Sequence, residues 1–161
     1  MKKLFLSAAA VLLVAVGANA QNFSKGDWFL GASVSNLQLD HAFVDGDSAT
    51  SFELQAQGGY FVGNKFAVDL GVGAGIVEDI SAFTFGVGVR YYPVGNFFAR
   101  VGFDGAKIED LDLLSQLGVS LGYDLFVSDN VFFEPSVYYR KILNDGGANS
   151  IGLSLGVGAR F

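Results

Sequence analysis

Apolar and polar residues alternate along this chain in segments of about ten residues, and turn residues separate the segments at regular intervals. Strict alternation is the pattern of a β-strand whose two faces meet different environments. After residue 21 the pattern predicts an all-β chain of eight strands. We place these strands at 28–37, 51–61, 66–76, 82–92, 97–106, 113–126, 131–140 and 150–161.

The connections between the predicted strands are of two kinds. VGNK (62–65), PVGN (93–96) and VSDN (127–130) are short, rich in turn residues and recur about every 32 residues, which indicates one hairpin per repeat. The remaining four connections are more variable, and some are longer. This arrangement predicts an eight-stranded, antiparallel, up-and-down transmembrane β-barrel. The even strand number puts both termini at the end with the short turns, which we expect to face the periplasm.

The face opposite the apolar one consists mostly of Gly and Ser. A soluble barrel would carry Lys and Glu on a water-facing exterior, but charged residues make up only 16% of this chain. Small residues suit the crowded interior of an eight-stranded barrel and help its strands to bend. We therefore expect the small residues to line the lumen and the apolar face to contact lipid.

Each predicted strand also offers one outward aromatic residue near the short-turn end. Aromatic residues are good strand formers in general. One per strand at a common height is, however, typical of the aromatic girdle at a membrane interface. The predicted girdle consists of Trp28, Tyr60, Phe66, Tyr91, Phe97, Tyr123, Phe133 and Phe161.

With these features the chain resembles the small outer-membrane β-barrels of the OmpA transmembrane-domain and OmpX type, and the broader porin-like family of outer-membrane β-barrel domains of Gram-negative bacteria. The resemblance covers residues 21–161. It implies a monomeric, non-enzymatic protein that needs no cofactor and lies in outer-membrane lipid. In that family, alternating hydrophobic residues that end in an aromatic form the signal read by the barrel-assembly machinery. The residues that fit this signal are Ile151, Leu153, Leu155, Val157, Ala159 and Phe161.

The first twenty residues predict a cleaved signal peptide and export by the Sec pathway. Lys2 and Lys3 precede an apolar stretch, and Ala18 and Ala20 form an A-x-A cleavage site. The alternative, an N-terminal anchor helix, is disfavoured because the stretch is too short to span a bilayer. The outer-membrane barrel domain is then 21–161. The chain has no Cys and a net charge of −6, which argues against thiol chemistry and against a nucleic-acid partner.

Nine charged residues fall on the predicted inner face, six of them from successive strands at similar depth. They could form an ion-selective constriction. We favour a neutral network that fills the barrel, because unpaired charge there is costly and Arg pairs well with carboxylates. Arg90, Arg100 and Arg160 are each expected to be held by a carboxylate. The six are Asp69, Arg90, Arg100, Asp124, Glu134 and Arg160, and the other three are Glu53, Asp104 and Arg140.

Six aromatic residues are predicted to face inward at the short-turn end, where they would crowd the mouth with apolar bulk. An eight-stranded barrel leaves room for little beyond side chains. We therefore expect no water-filled diffusion pore. The six residues are Phe29, Phe61, Tyr92, Phe98, Phe126 and Phe132.

Three further features resemble functional sites: a histidine, a glycine-rich motif and an acidic cluster. His41 is the only histidine, and no recognisable nucleophile motif accompanies it. GVGAG (71–75) imitates a dinucleotide-binding fingerprint but lies within a strand. Acidic Glu109, Asp110 and Asp112 form a weak candidate for a divalent cation, although a solvated rim is the favoured interpretation.

These observations favour a structural or surface-interaction barrel. A narrow channel or carrier for small or apolar solutes is the alternative function, and a lipid-modifying enzyme is the third.

Overall fold

The computed structural model describes residues 23–36, 51–77, 80–108, 113–144 and 149–161. Within these ranges all regular secondary structure is β-strand, and no helix is long and apolar enough to cross a membrane. The predicted signal peptide, His41 and the acidic group at 109–112 lie outside the described residues. The strands are β1 (Trp28–Asn36), β2 (Ser51–Gly63), β3 (Phe66–Val77), β4 (Ile80–Val94), β5 (Phe97–Ile108), β6 (Leu114–Tyr123), β7 (Leu125–Phe126), β8 (Val131–Ile142) and β9 (Asn149–Arg160).

The strands form one closed antiparallel barrel. Successive strands pair from β1 to β6, β8 pairs with β6, β7 and β9, and β9 pairs with β1. Because β6 and β7 occupy one position in the wall, the barrel has eight strand positions and no free edge. The predicted all-β barrel is confirmed, and its strand ends agree with the observed ones within two residues. Phe161 closes the last rung, because its N–H donates to the Trp28 carbonyl at 2.8 Å and its carbonyl accepts from the Trp28 N–H at 3.0 Å.

One predicted strand is interrupted. The sequence predicts a continuous strand at 113–126, whereas the ladder with β8 skips Tyr123 and Asp124. These two residues stand opposite Glu134 and Pro135. Proline has no N–H to donate to a ladder, so pairing is lost at this point and resumes at Leu125.

The two ends of the barrel differ. The turns at 64–65, 95–96 and 127–130 lie with both described chain ends at what we call the short-turn end. Gly95 has a φ of 53°, a conformation that glycine adopts without steric cost. Register shifts near Gly63 and Val94 also occur at this end. The opposite end, which carries the longer connections, is called the long-loop end.

The two faces of the wall are inverted relative to a soluble protein. Leu30, Leu70 and Leu155 point outward and are 62%, 65% and 58% exposed. Charged Asp69 and Arg90 point inward and are each 1% exposed. Soluble proteins rarely bury charge while exposing a continuous apolar surface. The apolar face is therefore the exterior, as the alternation predicted.

Glycines on the inner face provide the space that large inward side chains occupy. A Cβ built on Gly158 would lie 2.5 Å from the Phe132 ring, and one on Gly122 would lie 2.5 Å from the Phe98 ring. In both cases the glycine is the register partner of the aromatic residue on the adjacent strand. The same relation holds for Phe29 with Gly59 and for Asp104 with Gly86.

This arrangement predicts that Gly158→Ala destabilises the barrel by about 1–3 kcal/mol, because the new methyl group overlaps the Phe132 ring and the Leu30 carbonyl. Gly63→Ala is the matched control, since a Cβ there meets nothing within 4 Å. Urea unfolding of the two purified variants measures the difference. Equal stability of the two variants would show that the Phe132 ring leaves room for a methyl group at position 158.

Candidate functional site in the barrel lumen

An aromatic cluster fills the lumen at the short-turn end. It is built from side chains of six strand positions, and its buried aromatic members are between 0% and 4% exposed. Phe126 is half-buried and packs against them. The structure thus brings together all six of the inward aromatics that the sequence predicted. It adds a seventh aromatic residue, Phe23, together with Ala67. The cluster consists of Phe23, Phe29, Phe61, Tyr92, Phe98 and Phe132, with Ala67 and Phe126 beside them.

Phe23 is the member that the sequence analysis missed. It precedes β1, so no strand alternation identifies its direction. Its ring stacks on the Phe61 ring with a centroid separation of 4.4 Å and an interplanar angle of 10°. The only signal in the sequence is an isolated aromatic residue directly ahead of the turn-forming SKGD (24–27). The chain therefore crosses the barrel mouth before it enters the wall.

Arg90 lies next to this cluster at the centre of a buried ion-pair network. Its guanidinium contacts Glu134 through Nη1 at 2.5 Å and Asp69 through Nε at 3.4 Å. Its Nη2 donates to the Gln57 amide oxygen at 2.7 Å. Arg100 contacts the second oxygen of the same Asp69 at 2.8 Å. Two guanidiniums and two carboxylates thus neutralise one another in the lumen.

The faces of the Arg90 guanidinium are covered by aromatic rings. The central carbon lies 4.8 Å from the Phe29 ring centroid and 4.6 Å from the Phe98 ring centroid. Cation–π contacts of this kind strengthen when water is excluded. Arg90 therefore joins the aromatic cluster to the ion-pair network, with carboxylates at its edge and rings on its faces.

A second ion pair lies nearer the long-loop end. Arg140 contacts one carboxylate oxygen of Glu53 at 2.9 Å. The other oxygen of Glu53 accepts a hydrogen bond from the Thr84 hydroxyl at 2.7 Å. The Arg140 guanidinium stacks over the Tyr138 ring at 4.4 Å. Asp104 lies 3.7 Å from Arg100, a looser contact than the others.

Arg160 does not join the network, contrary to the sequence expectation. Among the described residues it forms no ion pair. Its guanidinium lies 5.7 Å from the Phe23 ring and 5.5 Å from the Phe126 ring, and it donates to the Asp129 carbonyl at 3.5 Å. The reason is its depth. Arg160 is the last residue of β9 at the short-turn end, so the aromatic cluster separates it from Asp69 and Glu134.

Asp124 is buried and forms no ion pair with an arginine in the part of the chain that the structure describes, which also corrects the expectation. Its Oδ2 accepts from the Tyr92 hydroxyl at 3.0 Å, and the residue is 0% exposed. Because Asp124 lies in the interrupted part of the ladder, directly beside the aromatic cluster, a phenol reaches it where a guanidinium does not. Tyr92 thereby gains a polar partner inside an otherwise apolar cluster.

The outward aromatic residues are exposed except Tyr60, which is half-buried, and Tyr123, which is buried. Trp28 and Phe161 are 59% and 72% exposed, and Trp28 packs against Tyr60 with ring centroids 4.7 Å apart. Tyr123 shares the outer register with Phe97 but is only 6% exposed, so it is not part of an open girdle. It lies at the interrupted ladder opposite Pro135, where the wall departs from regular geometry. The remaining outward members are Phe66, Tyr91, Phe97 and Phe133, and all are exposed.

A polar cavity of about 50 Å³ lies in the lumen on the long-loop side of Arg90. Serine hydroxyls from β1, β6, β8 and β9 line it together with Arg100, Asp104 and Arg140. A volume of this size accommodates about three or four water molecules. Within the described ranges no group of His, Asp or Glu could hold a metal ion. The cavity suits water or a small ion.

Comparison with solved structures identifies the fold. The N-terminal β-barrel domain of Pseudomonas aeruginosa OprF has a TM-score of 0.63 and 15% identity, and the match covers 85% of this chain and 98% of that one. Neisserial surface protein A (NspA) has a TM-score of 0.61 and 19% identity, with coverage of 84% and 98%. Pseudomonas aeruginosa OprG has a TM-score of 0.59 and 17% identity, with coverage of 89% and 99%. The fold is that of a small outer-membrane barrel.

The resemblance stated from the sequence is confirmed at the level of fold. Neither a family model nor a curated protein matches the sequence. At identities below one fifth, the structural likeness carries the architecture and not the activity.

The network predicts a large effect for Arg100→Met, because the change leaves the buried Asp69 with only the 3.4 Å contact to Arg90. Breaking a buried pair in this way should lower the free energy of unfolding by about 3–5 kcal/mol. Arg160→Met is the control of the same residue type and should cost much less. Unfolding in detergent or lipid vesicles measures both.

The double variant Arg100→Met/Asp69→Leu should recover most of the loss, because no uncompensated charge remains at that pair. If Arg100→Met and Arg160→Met have equal effects, the lumen charges are solvated and do not form a network.

Proposed function

We propose that the protein is an integral outer-membrane β-barrel with a structural or surface-interaction role, and that its own side chains close its lumen. The observation that carries the proposal is the continuous filling of the lumen from Phe61 to Arg90. Both residues are at most 1% exposed, and together they link apolar packing to a neutral charge network. A barrel filled in this way offers its exterior and its loops for function, rather than a pore.

The exterior supports a place in the outer membrane, with lipid as the principal partner. Large apolar side chains cover the described part of the wall, and aromatic side chains cluster at the short-turn end. This distribution suits hydrocarbon between two polar interfaces. Sec export, recognition of the β9 pattern by the assembly machinery and a monomeric state belong to the same proposal. The surface role is in keeping with NspA, a surface protein of the same fold.

A narrow channel or carrier is the second candidate, and the polar cavity favours it. Arg100 and Arg140 line the cavity with serine hydroxyls, which could hold a small ion or water during passage. The aromatic cluster argues against steady conduction, because it occupies the lumen between this cavity and the short-turn end. We infer that the protein is not an enzyme. Mass spectrometry of lipid A from cells with and without the protein tests that inference.

The closed lumen predicts that the purified protein produces no steady ionic current in planar bilayers. Replacing Phe61, Phe98 and Phe132 together with Ala should produce a leak, because the three rings are buried in the cluster. The control replaces exposed Phe66, Phe97 and Phe133 with Ala, which removes the same number of rings from the outer face. Steady, ion-selective conductance of the unmodified protein would overturn the structural role and favour the channel.

The membrane placement predicts a depth-dependent cost for arginine on the outer face. Leu155→Arg, in the middle of β9, should lower stability in lipid vesicles by about 2–4 kcal/mol. Leu143→Arg is a matched control, because Leu143 is similarly exposed but lies just beyond the end of β8. Its cost should be about 0–1 kcal/mol. Two equally small costs would mean that water, and not lipid, surrounds the wall.

A further inference from the structure

We propose that Phe23–Gly26 is a removable stopper, which controls access to the lumen from the short-turn end. In this arrangement the Phe23 ring covers the aromatic cluster at the mouth, and its withdrawal admits water to the strand-borne rings while the barrel wall stays intact. The proposal rests on the proposed function, since it assumes that the lumen is closed when the stopper is seated.

The seat of Phe23 is at the centre of the mouth. The residue is 3% exposed, although it belongs to no strand. Its ring contacts rings from β2, β4 and β7, which lie on different sides of the barrel. The centroid separations are 4.4 Å to Phe61, 5.0 Å to Tyr92 and 5.7 Å to Phe126. One ring therefore bridges the walls that surround it.

The stopper is attached to the barrel by few bonds. The Gly26 N–H donates to the Phe61 carbonyl at 2.9 Å, and the Lys25 N–H donates to the Asn64 side-chain oxygen at 3.1 Å. Ser24 forms a turn with the following Asp27 through two hydrogen bonds, and the Asp27 carbonyl accepts from the Phe61 N–H at 2.9 Å where the segment joins the barrel. Gly26 has a φ of 104°, and a Cβ there would meet no atom within 4 Å. The segment is thus a turn that rests on the mouth.

The other aromatic members of the cluster could not leave in the same way. Phe29, Phe61, Tyr92, Phe98, Phe126 and Phe132 all lie on strands that pair with their neighbours. Their backbones are held in the wall, so withdrawing any of these segments would require breaking part of the ladder. Among the described members of the cluster, Phe23 alone lies outside the strands, and its segment is held by its own packing and two hydrogen bonds to the barrel.

Withdrawal would expose a defined surface. Phe126 would lose its contact with the Phe23 ring, and the Arg160 guanidinium would lose the ring that it covers at 5.7 Å. Because Phe126 packs directly against the Phe23 ring, a thiol at this position reports on the removal of that ring. The sequence contains no cysteine, so a single reporter gives an unambiguous signal.

The test measures the labelling rate of Phe126→Cys with a water-soluble maleimide in the folded, membrane-inserted barrel. Adding Phe23→Ala should raise the rate by about 10–100-fold, the factor expected when the burial energy of one aromatic side chain no longer holds the closed state. Phe133→Ala, which removes an exposed ring from the outer face at the same end, should leave the rate unchanged.

Gly26→Ala provides a second variant that keeps the Phe23 ring. An L-residue at this positive φ is strained, so the turn should be unseated and labelling should rise by about 5–30-fold. Barrel stability in urea should stay close to that of the reporter protein. If Phe23→Ala prevents insertion, this variant carries the test.

Slow labelling in both variants, or fast labelling while Phe23 and Gly26 are intact, would overturn the stopper. Steady ionic current through the unmodified protein would instead overturn the proposed function. The two failures are therefore distinguishable.

Discussion

The Arg90 guanidinium is the interaction on which the interior of this barrel depends. It is 1% exposed, with Asp69 and Glu134 at its edge and the Phe29 and Phe98 rings on its faces. A charge buried in this way is very costly unless its partners surround it. Arg90 therefore requires the carboxylates of β3 and β8 and the rings of β1 and β5 at fixed positions. The register of several strands is coupled through this one side chain.

The narrowness of an eight-stranded barrel explains why the remaining inner residues are small. Several large inward side chains have a glycine as register partner, as with Phe132 and Gly158. Arg100 uses glycines differently, because its guanidinium lies against Gly88 and Gly102, which are not its register partners. Glycine in strands usually weakens them. Here its lack of a side chain is what allows charged and aromatic groups to cross the lumen, and the closed ladder supports the strands.

The wall could be predicted from the sequence because its signal is local. Alternation with a period of two fixes which residues share a face, and turn residues fix where strands end, so each strand was placed within two residues. The same period indicates that Phe61 and Arg90 point inward. It contains no information about which inward groups meet, because that depends on strand stagger and depth.

The differences between expectation and structure have this origin. Arg160 and Asp124 have the expected direction, but the aromatic cluster separates one from its expected partners, and the interruption near Pro135 brings the other to Tyr92. Phe23 was missed because it lies before β1 and only tertiary contacts define its position. Residues on regular strands were therefore predictable by face, and contacts that depend on irregular backbone were not.

Arg90 is the most deeply buried arginine among the described residues, and NMR can measure its isolation from water directly. Exchange of the arginine Nε–H with water should be slow for Arg90 and markedly faster for Arg160, which lies at the short-turn end outside the ion-pair network. The measurement needs only the folded, isotope-labelled protein in micelles or nanodiscs. Slow exchange of Arg90 would support a closed, neutral lumen, and exchange of Arg90 as fast as that of Arg160 would contradict it.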